Sequence, residues 1–236
     1  LSAFDPAKAE GTIKWKRKTL YTRQAFNTNT LLPQDLQMLD FPTPAYDNDP
    51  EHRFTIDFVS PRTLRIRMLT TPIVPPNEES VMLVKEPATD SSWTYQAIEG
   101  GHRYSNSFGS IVIEENPWRI VLLDSKGRRM TDTWRWCDND STQVKSLPFN
   151  YIKRGSDNSR SINPVFTLSP GEKIVGCGES PTGLNKVGQK VNLFVTDPQG
   201  PETDQMYKPI PFFMSNRGYG MFMHTSAPIT CDFGAT

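Results

Sequence analysis

The density of residues that interrupt helices is the strongest constraint on the fold of this chain. The sequence contains 20 prolines and 15 glycines. A proline inside a helix removes a backbone hydrogen bond and clashes with the preceding turn. The window from Leu31 to Leu39 has the apolar spacing of a helix, but Pro33 lies within it. We therefore expect at most one short helix in a chain built from strands.

Two pairs of segments alternate apolar and polar residues, as half-buried strands do. Phe54–Phe58 and Leu64–Met68 lie on either side of a turn that contains Pro61. Ser110–Glu114 and Trp118–Leu123 flank a second turn with a proline. Short strands joined by turns, without alternating helices, predict an antiparallel β-sandwich rather than a parallel α/β fold.

The remaining polar and proline-rich stretches are interpreted as loops within one domain. Gly155–Ser161 is the best candidate for an exposed loop, and Phe166–Pro170 resumes the strand pattern after it. The segments 40–52 and 70–80 contain several prolines, but each is short and flanked by strands. Neither has the character of a domain linker.

The charge balance excludes several classes of partner. Lys and Arg together number 26, as do Asp and Glu, so no net field attracts nucleic acid or an anionic membrane surface. No apolar run reaches the roughly 18 residues needed to span a bilayer. Leu1–Asp5 is neither a signal peptide nor a natural start, so we expect a trimmed N-terminus. Neutral partners, sugars among them, are favoured by default.

The three cysteines are expected to be buried free thiols. Cys137, Cys177 and Cys231 are odd in number, widely separated and in apolar or aromatic company. Metal binding is not expected, since no two cysteines have a ligand spacing and the histidines lie far from them in sequence.

The glycines around Cys177 suggest a phosphate-binding loop, but the pattern is incomplete. Gly176 and Gly178 would let backbone amides approach an anion. A dinucleotide-binding loop needs a third glycine three residues later, whereas Pro181 stands there. We therefore expect no nucleotide and no other cofactor.

The acidic cluster Asp138–Ser141 has the oxygen ligands of a calcium loop but lacks its central glycine and closing glutamate. We interpret it as a solvated turn.

Paired catalytic carboxylates must converge in space, which sequence spacing alone does not indicate for any acid after residue 170. No serine stands in a Gly-x-Ser-x-Gly pattern.

The segment Val195–Pro209 is longer than a hairpin turn needs and is rich in Pro, Asp and Thr. Loops of this length mark binding sites more often than simple connections. The alternative interpretation is a surface loop without a binding function.

From Phe166 onward, short motifs occur in an order that chance does not readily produce. They are Ser169-Pro170-Gly171-Glu172, Gly176, Gly178-Glu179, Leu184-Asn185-Lys186, Thr196-Asp197, Tyr207-Lys208, Ile210-Pro211-Phe212, Gly218-Tyr219-Gly220 and Asp232-Phe233-Gly234. The series resembles the end of the N-terminal β-sandwich domain of glycoside hydrolase family 31, the α-glucosidase and α-xylosidase family, and the likeness covers residues 50–236. The chain departs from the family pattern at Val175, Cys177 and Val187, which usually are an aromatic residue, Leu and Arg.

The resemblance implies a fold for this chain and places the catalytic residues in a separate domain. It implies an antiparallel β-sandwich of the galactose-mutarotase-like type over residues 1–236, complete or lacking its last strands, followed by a (β/α)8 barrel that is absent from this chain. In such enzymes two barrel aspartates act as nucleophile and general acid/base with retention of configuration. No catalytic residue is therefore expected here.

The resemblance also implies one substrate-binding residue and two partners. Asp197 is similar to the family's substrate-contacting aspartate, on a loop at the aglycone side of the pocket, where a carboxylate would accept hydrogen bonds from sugar hydroxyls. The implied partners are an oligosaccharide and the downstream barrel, and a homo-oligomer is left open.

Two other hypotheses remain. A stand-alone carbohydrate-binding module predicts an exposed aromatic platform from among Trp93, Trp118, Trp134 and Trp136, although the alternation around Trp118 favours a core position for it. A mutarotase-like isomerase needs a histidine and a glutamate in one pocket, for which His102 or His224 with Glu179 are candidates.

Overall fold

The computed structural model describes residues 1–14, 51–70, 80, 82–86, 88–133, 148–157, 159–197 and 207–235. Within those ranges the regular secondary structure consists of strands, without a helix, which confirms the predicted all-β fold class. The window Leu31–Leu39 lies outside them. The strands are β1 (Ala3–Asp5), β2 (Glu10–Lys14), β3 (Glu51–Ser60), β4 (Thr63–Leu69), β5 (Thr94–Ile98), β6 (Gly101–Asn106), β7 (Gly109–Glu115), β8 (Trp118–Asp124), β9 (Arg129–Asp132), β10 (Phe149–Lys153), β11 (Arg160–Pro164), β12 (Ile174–Gly178), β13 (Lys190–Leu193), β14 (Pro209–Ser215), β15 (Gly220–Phe222) and β16 (Ile229–Asp232).

The strands form antiparallel sheets with mostly sequential neighbours. The strand orders are β1-β2-β3-β4, β5-β6-β7-β8-β9, β10-β11, β12-β14-β15 and β13-β16. The chain divides into two compact units, residues 1–57 with 65–74, and residues 58–64 with 75–236. The predicted hairpin around Pro61 is confirmed, since β3 and β4 are neighbours in one sheet.

The first unit has a small core beneath its sheet. Ile13 and Phe54 are fully buried, and the ring of Phe4 stacks on that of Phe54 with centroids 6.2 Å apart. Gly11 pairs with Phe54 across β2 and β3. A side chain at Gly11 would overlap the ring, since an added Cβ would lie 2.5 Å from it.

The five-stranded sheet of the second unit contains the predicted β7–β8 hairpin, with a cis Asn116-Pro117 bond in its turn. Ile111, Val112 and Ile113 are consecutive and all buried. Because successive side chains of a strand point to opposite faces, this sheet is covered on both sides.

The region after residue 148 is only partly as predicted. The expected loop Gly155–Ser161 is a turn between β10 and β11, but its last two residues already belong to β11. The strand expected over Phe166–Pro170 is wrong. Phe166 makes an isolated bridge with Thr133, and the chain then turns because the Glu172 carboxylate accepts a hydrogen bond from the Ser169 amide.

The sheets β12-β14-β15 and β13-β16 pack together around a shared apolar cluster. Its buried members are Ile174, Cys177, Val191, Leu193 and Phe233. Phe213 of β14 meets the ring of Phe233 edge to face, with centroids 5.1 Å apart. This two-layer core holds the segments that carry most of the family-like motifs.

Candidate functional site

The end of β12 fixes the position of the chain at Lys208. The backbone has positive φ at Gly176, Cys177 and Gly178, with values of 127°, 70° and 88°, and the pairing of β12 with β14 is irregular between the two glycines. A Cβ added at Gly178 would lie 2.1 Å from the Lys208 carbonyl oxygen. The backbone here requires glycine, because the two chain segments approach too closely for any side chain.

Lys208 is tied to the residue that follows this bulge. The Glu179 amide donates a hydrogen bond to the Lys208 carbonyl at 3.2 Å. The Lys208 ammonium lies 3.3 Å from Glu179 Oε1. Both side chains are exposed, so the ion pair contributes little energy; the backbone contact is what fixes the entry into β14.

Asp197, the predicted substrate-binding residue, is exposed and has a defined partner. Tyr207 Oη donates a hydrogen bond to Asp197 Oδ1 at 2.6 Å. The same carboxylate raises the pKa of Tyr207, first through this hydrogen bond. The two residues flank positions 198–206, which lie outside the described residues. The ends of the predicted binding loop are therefore joined by a charge-assisted hydrogen bond.

The residues that flank this pair in sequence are apolar and exposed. Phe194 is 54% exposed, Tyr207 itself is 60% exposed and Ile210 is 51% exposed. The chain on both sides of positions 198–206 therefore presents exposed apolar side chains as well as a carboxylate. The sequence motifs identified Asp197 as a candidate site residue but gave no role to Tyr207. The signal that could have identified Tyr207 is its place in the motif Tyr207-Lys208.

Other motif residues hold the turn between β12 and β13 together. Asn185 Oδ1 accepts hydrogen bonds from the Ile174 amide at 3.1 Å and the Val187 amide at 3.3 Å. Lys186 is buried and donates to Thr182 Oγ1 at 2.7 Å. Val187, at the position where the family usually has arginine, packs against the apolar cluster. These residues have structural roles.

The residues proposed for a mutarotase-like site each contact different partners. His102 is 3.2 Å from Glu115 and is hydrogen-bonded to Tyr95. His224 is hydrogen-bonded to Ser80 and stacks on Phe222. Glu179 pairs with Lys208. Each residue therefore has an interaction that a structural role explains.

The tryptophan platform of a binding module also lacks support among the described residues. Trp118 is 2% exposed, as predicted for a core residue. Trp93 stacks on Phe58 with ring centroids 5.0 Å apart and donates a hydrogen bond to the Ser60 carbonyl. Trp134 and Trp136 lie outside the part of the chain that the structure describes.

Cys177 and Cys231 are free, as predicted. Cys177 is fully buried and Cys231 is partly buried against the same cluster. The neighbouring Cys177 thiol together with burial raises the pKa of Cys231. Cys137 and the cluster Asp138–Ser141 are outside the described residues.

In the described ranges, no group of three or more His, Cys, Asp or Glu residues could hold a metal ion. Over the same ranges, no helix has the length and apolar character to cross a membrane.

The antiparallel sheets and the glycine bulge of β12 define an all-β domain. The chain belongs to the family described as the glycosyl hydrolase 31 N-terminal galactose mutarotase-like domain, whose model matches residues 53–232. This confirms the fold class and the family inferred from the motifs.

Known relatives and solved structures agree with this assignment. The chain is 24% identical over 160 residues to α-glucosidase 2 of Bacillus thermoamyloliquefaciens, covering 65% of this chain and 18% of the relative. It is 41% identical over 94 residues to an α-xylosidase of Lactiplantibacillus pentosus, covering 40% of this chain and 12% of the relative. The chain therefore spans less than a fifth of the length of these two enzymes.

Two solved structures share the fold. A GH31 α-xylosidase from a soil metagenome, complexed with xylose, superposes with a TM-score of 0.64 at 18% identity, covering 78% of this chain and 27% of that one. A GH31 dextranase of Flavobacterium johnsoniae, complexed with isomaltotriose, gives a TM-score of 0.62 at 20% identity, covering 78% of this chain and 21% of that one.

Proposed function

We propose that residues 1–236 are the non-catalytic N-terminal domain of a retaining α-glycosidase that removes terminal α-linked sugars from oligosaccharides. The bond-breaking aspartates lie in a (β/α)8 barrel that follows residue 236. The family match and the short share of each relative that the chain covers support this division of labour. The 236-residue chain alone is inactive.

In this proposal the loop after Asp197 contributes to the aglycone side of the active site. The observation that carries it is the exposed Asp197 carboxylate, held by Tyr207 at 2.6 Å. An ionised carboxylate accepts hydrogen bonds from vicinal sugar hydroxyls, and these bonds are stronger than those to a neutral acceptor. Exposed Phe194 and Tyr207 supply apolar surface for the sugar ring.

The first test compares the 236-residue chain with the full-length protein on aryl α-glucoside, α-xyloside and α-galactoside. We expect turnover only by the full-length protein, and only with one or two of these sugars. Turnover by residues 1–236 alone contradicts the proposal, and so does a full-length protein that cleaves none of the α-glycosides.

The second test replaces Asp197 by alanine in the full-length enzyme. Loss of a charge-assisted hydrogen bond to substrate costs about 1.5–3 kcal/mol, which corresponds to a roughly 10- to 150-fold fall in kcat/KM. The fall should differ between aglycones, while the melting temperature is retained. Glu179→Ala, which removes an exposed carboxylate paired with Lys208, is the control. Unchanged kinetics across several aglycones would exclude Asp197 from the site.

Calorimetry of the 236-residue chain with oligosaccharides distinguishes the alternative. A stand-alone carbohydrate-binding module binds them without the barrel. The non-catalytic domain proposed here contributes one side of a pocket and shows no measurable binding alone.

A further inference from the structure

Two cysteines meet in the core between the sheets β12-β14-β15 and β13-β16. Cys177 belongs to the buried apolar cluster, and Cys231 packs against that cluster from the other sheet. Each thiol shifts the pKa of the other, an effect that needs the two groups to be neighbours. The fold therefore brings together two thiols that the sequence keeps far apart.

The backbone conformation of Cys177 is unusual for its residue type. Its φ is 70°, in a region that residues other than glycine rarely adopt. The pairing of β12 with β14 is irregular between Gly176 and Gly178, so Cys177 lies outside the regular ladder. A side chain that is kept in such a conformation points to a function in addition to packing. Cysteine supplies a reactive sulfur at this position.

The two thiols have different environments. The Cys231 thiol lowers the pKa of Cys177, and the charge of the buried Lys186 ammonium adds to this effect, whereas burial acts in the opposite direction. The Cys177 thiol and burial raise the pKa of Cys231. Cys177 therefore supplies the thiolate, while Cys231 keeps its proton. A thiolate beside a protonated thiol is the combination from which a disulfide forms.

We propose that Cys177 and Cys231 form a disulfide bond when the protein meets a small oxidant such as hydrogen peroxide, and that this bond fixes the bulge of β12. Cys231 is only partly buried, so a molecule of the size of peroxide has access to the pair from that side. The inference is independent of the proposed function, because it concerns only residues of this domain.

The reaction balances with one molecule of peroxide. The Cys177 thiolate attacks a peroxide oxygen, the O–O bond breaks, and a sulfenic acid and hydroxide form. The Cys231 sulfur then attacks the sulfenic sulfur, so that the S–S bond forms, the S–O bond breaks and the oxygen leaves as water with the Cys231 proton. The hydroxide takes up the proton that Cys177 had released. Two thiols are oxidised to one disulfide, and one peroxide is reduced to two waters.

The bond would act on the contact between the bulge and Lys208. Gly178 follows Cys177 and comes close to the Lys208 carbonyl. The Glu179 amide donates a hydrogen bond to the same carbonyl at 3.2 Å. A cross-link between β12 and β16 restricts local opening of the segments that it joins. We therefore expect the hydrogen bond of Glu179 to open less often in the oxidised protein.

Peptide mapping by mass spectrometry tests for the bond. The 236-residue chain is treated with hydrogen peroxide, the remaining thiols are blocked with N-ethylmaleimide in denaturant, and the digest is compared with and without a reductant. We expect a peptide pair that links Cys177 to Cys231 and separates on reduction. Cys137→Ser, which lacks the third cysteine, should form the same link, and Cys231→Ser should form none.

Hydrogen exchange tests whether the bond fixes the bulge. Exchange of the Glu179 amide is measured in the oxidised chain and again after reduction. We expect exchange to be about threefold or more slower in the oxidised chain, because the cross-link limits local opening. The Ile56 amide, which donates to the Ala9 carbonyl at 3.0 Å in the first unit, is the control and keeps its rate. Peroxide should leave both rates unchanged in Cys231→Ser.

Several outcomes would overturn the inference. Thiols of Cys177 and Cys231 that stay free after peroxide treatment do so. Sulfinic acids at these positions without a link, a disulfide between two chains, or a link that involves Cys137 do so as well. A link between Cys177 and Cys231 with unchanged exchange at Glu179 overturns the claim that the bond fixes the bulge.

Discussion

Tyr219 Oη donates a hydrogen bond of 2.6 Å to Glu172 Oε1, across 47 positions of sequence. Glu172 is 5% exposed and also accepts hydrogen bonds from Ser215 Oγ and the Ser169 amide. The carboxylate therefore closes the turn before β12 and holds the turn between β14 and β15. Two of the family-like motifs are linked by this contact, which gives both a structural role.

Replacing Tyr219 by phenylalanine should destabilise the domain. The buried Glu172 carboxylate loses a donor, and such a loss costs about 1–3 kcal/mol. Urea unfolding of the 236-residue chain at neutral pH measures the change. Tyr207→Phe also removes a tyrosine hydroxyl bonded to a carboxylate, but both groups are exposed, so the expected loss of stability is much smaller. Equal losses for the two variants contradict the assigned role of Glu172.

The contribution of Tyr219 should disappear at high pH. Burial and the hydrogen bond to Glu172 raise the pKa of Tyr219 to about 12, against about 10 for tyrosine in an unfolded chain. The native state holds the phenolic proton more tightly, so the contribution is complete below pH of about 10 and is lost as the pH rises to about 12. The stability difference between wild type and Tyr219→Phe should shrink over that interval. A difference independent of pH contradicts the raised pKa.

Local patterns predicted the strands, because alternation and turn residues are properties of neighbouring positions. The β7–β8 hairpin follows from its alternation and the break at Pro117. The glycine requirement at Gly178 has a cause outside the local sequence, a close approach to the backbone of Lys208, which is distant in sequence.

Interactions between distant positions were not predictable from one sequence. Phe166–Pro170 has the composition of a strand, but the Glu172 carboxylate bonds the Ser169 amide and favours a turn. That carboxylate is held in place by Ser215 and Tyr219, which are 43 and 47 positions away. Asp197 was identified as a candidate site residue through its motif. Its hydrogen bond with Tyr207 depends on how the fold brings positions 197 and 207 together. The interactions of His102 and His224 likewise depend on which strands lie side by side.

Gly178→Ala should be far more damaging than Gly188→Ala, although both glycines have positive φ. The values are 88° and 81°, so both variants carry the left-handed strain of about 1–2 kcal/mol. An added Cβ at Gly178 would also lie 2.1 Å from the Lys208 carbonyl oxygen, while nothing lies within 4 Å at Gly188. Soluble yield and urea midpoint measure the difference. Similar midpoints for the two variants contradict the close approach of β12 to Lys208.

The ion network around Arg119 should contribute substantially to stability. Arg119 lies 2.6 Å from Glu114 and 3.1 Å from Asp132, which is 2% exposed. Arg119→Met leaves the buried carboxylate with a weaker set of partners and should cost about 3 kcal/mol. Arg154→Met, which breaks an exposed pair with Asp157, should change the stability little.

A double variant separates the charge from the packing at this site. In Arg119→Met the buried Asp132 carboxylate keeps Arg129 at 3.3 Å but loses its other cation. Adding Asp132→Leu removes that carboxylate, and much of the lost stability should return. Chemical unfolding of the single and double variants measures this recovery. A double variant less stable than Arg119→Met contradicts the view that the loss in the single variant comes from a buried charge with too few partners.

The hydrogen bond between Tyr207 and Asp197 can be tested by titration of the phenol. The Asp197 carboxylate raises the pKa of Tyr207 by hydrogen bonding and by its charge. Asp197→Asn keeps the shape but removes the charge, so the pKa of Tyr207 should move down toward its usual value. Difference absorbance of the phenolate in the near ultraviolet, with Tyr207→Phe to identify the signal, follows the titration. An unchanged pKa of Tyr207 in Asp197→Asn contradicts this hydrogen bond. The proposed role of Asp197 in substrate binding depends on the same hydrogen bond, because it joins the two sides of the loop.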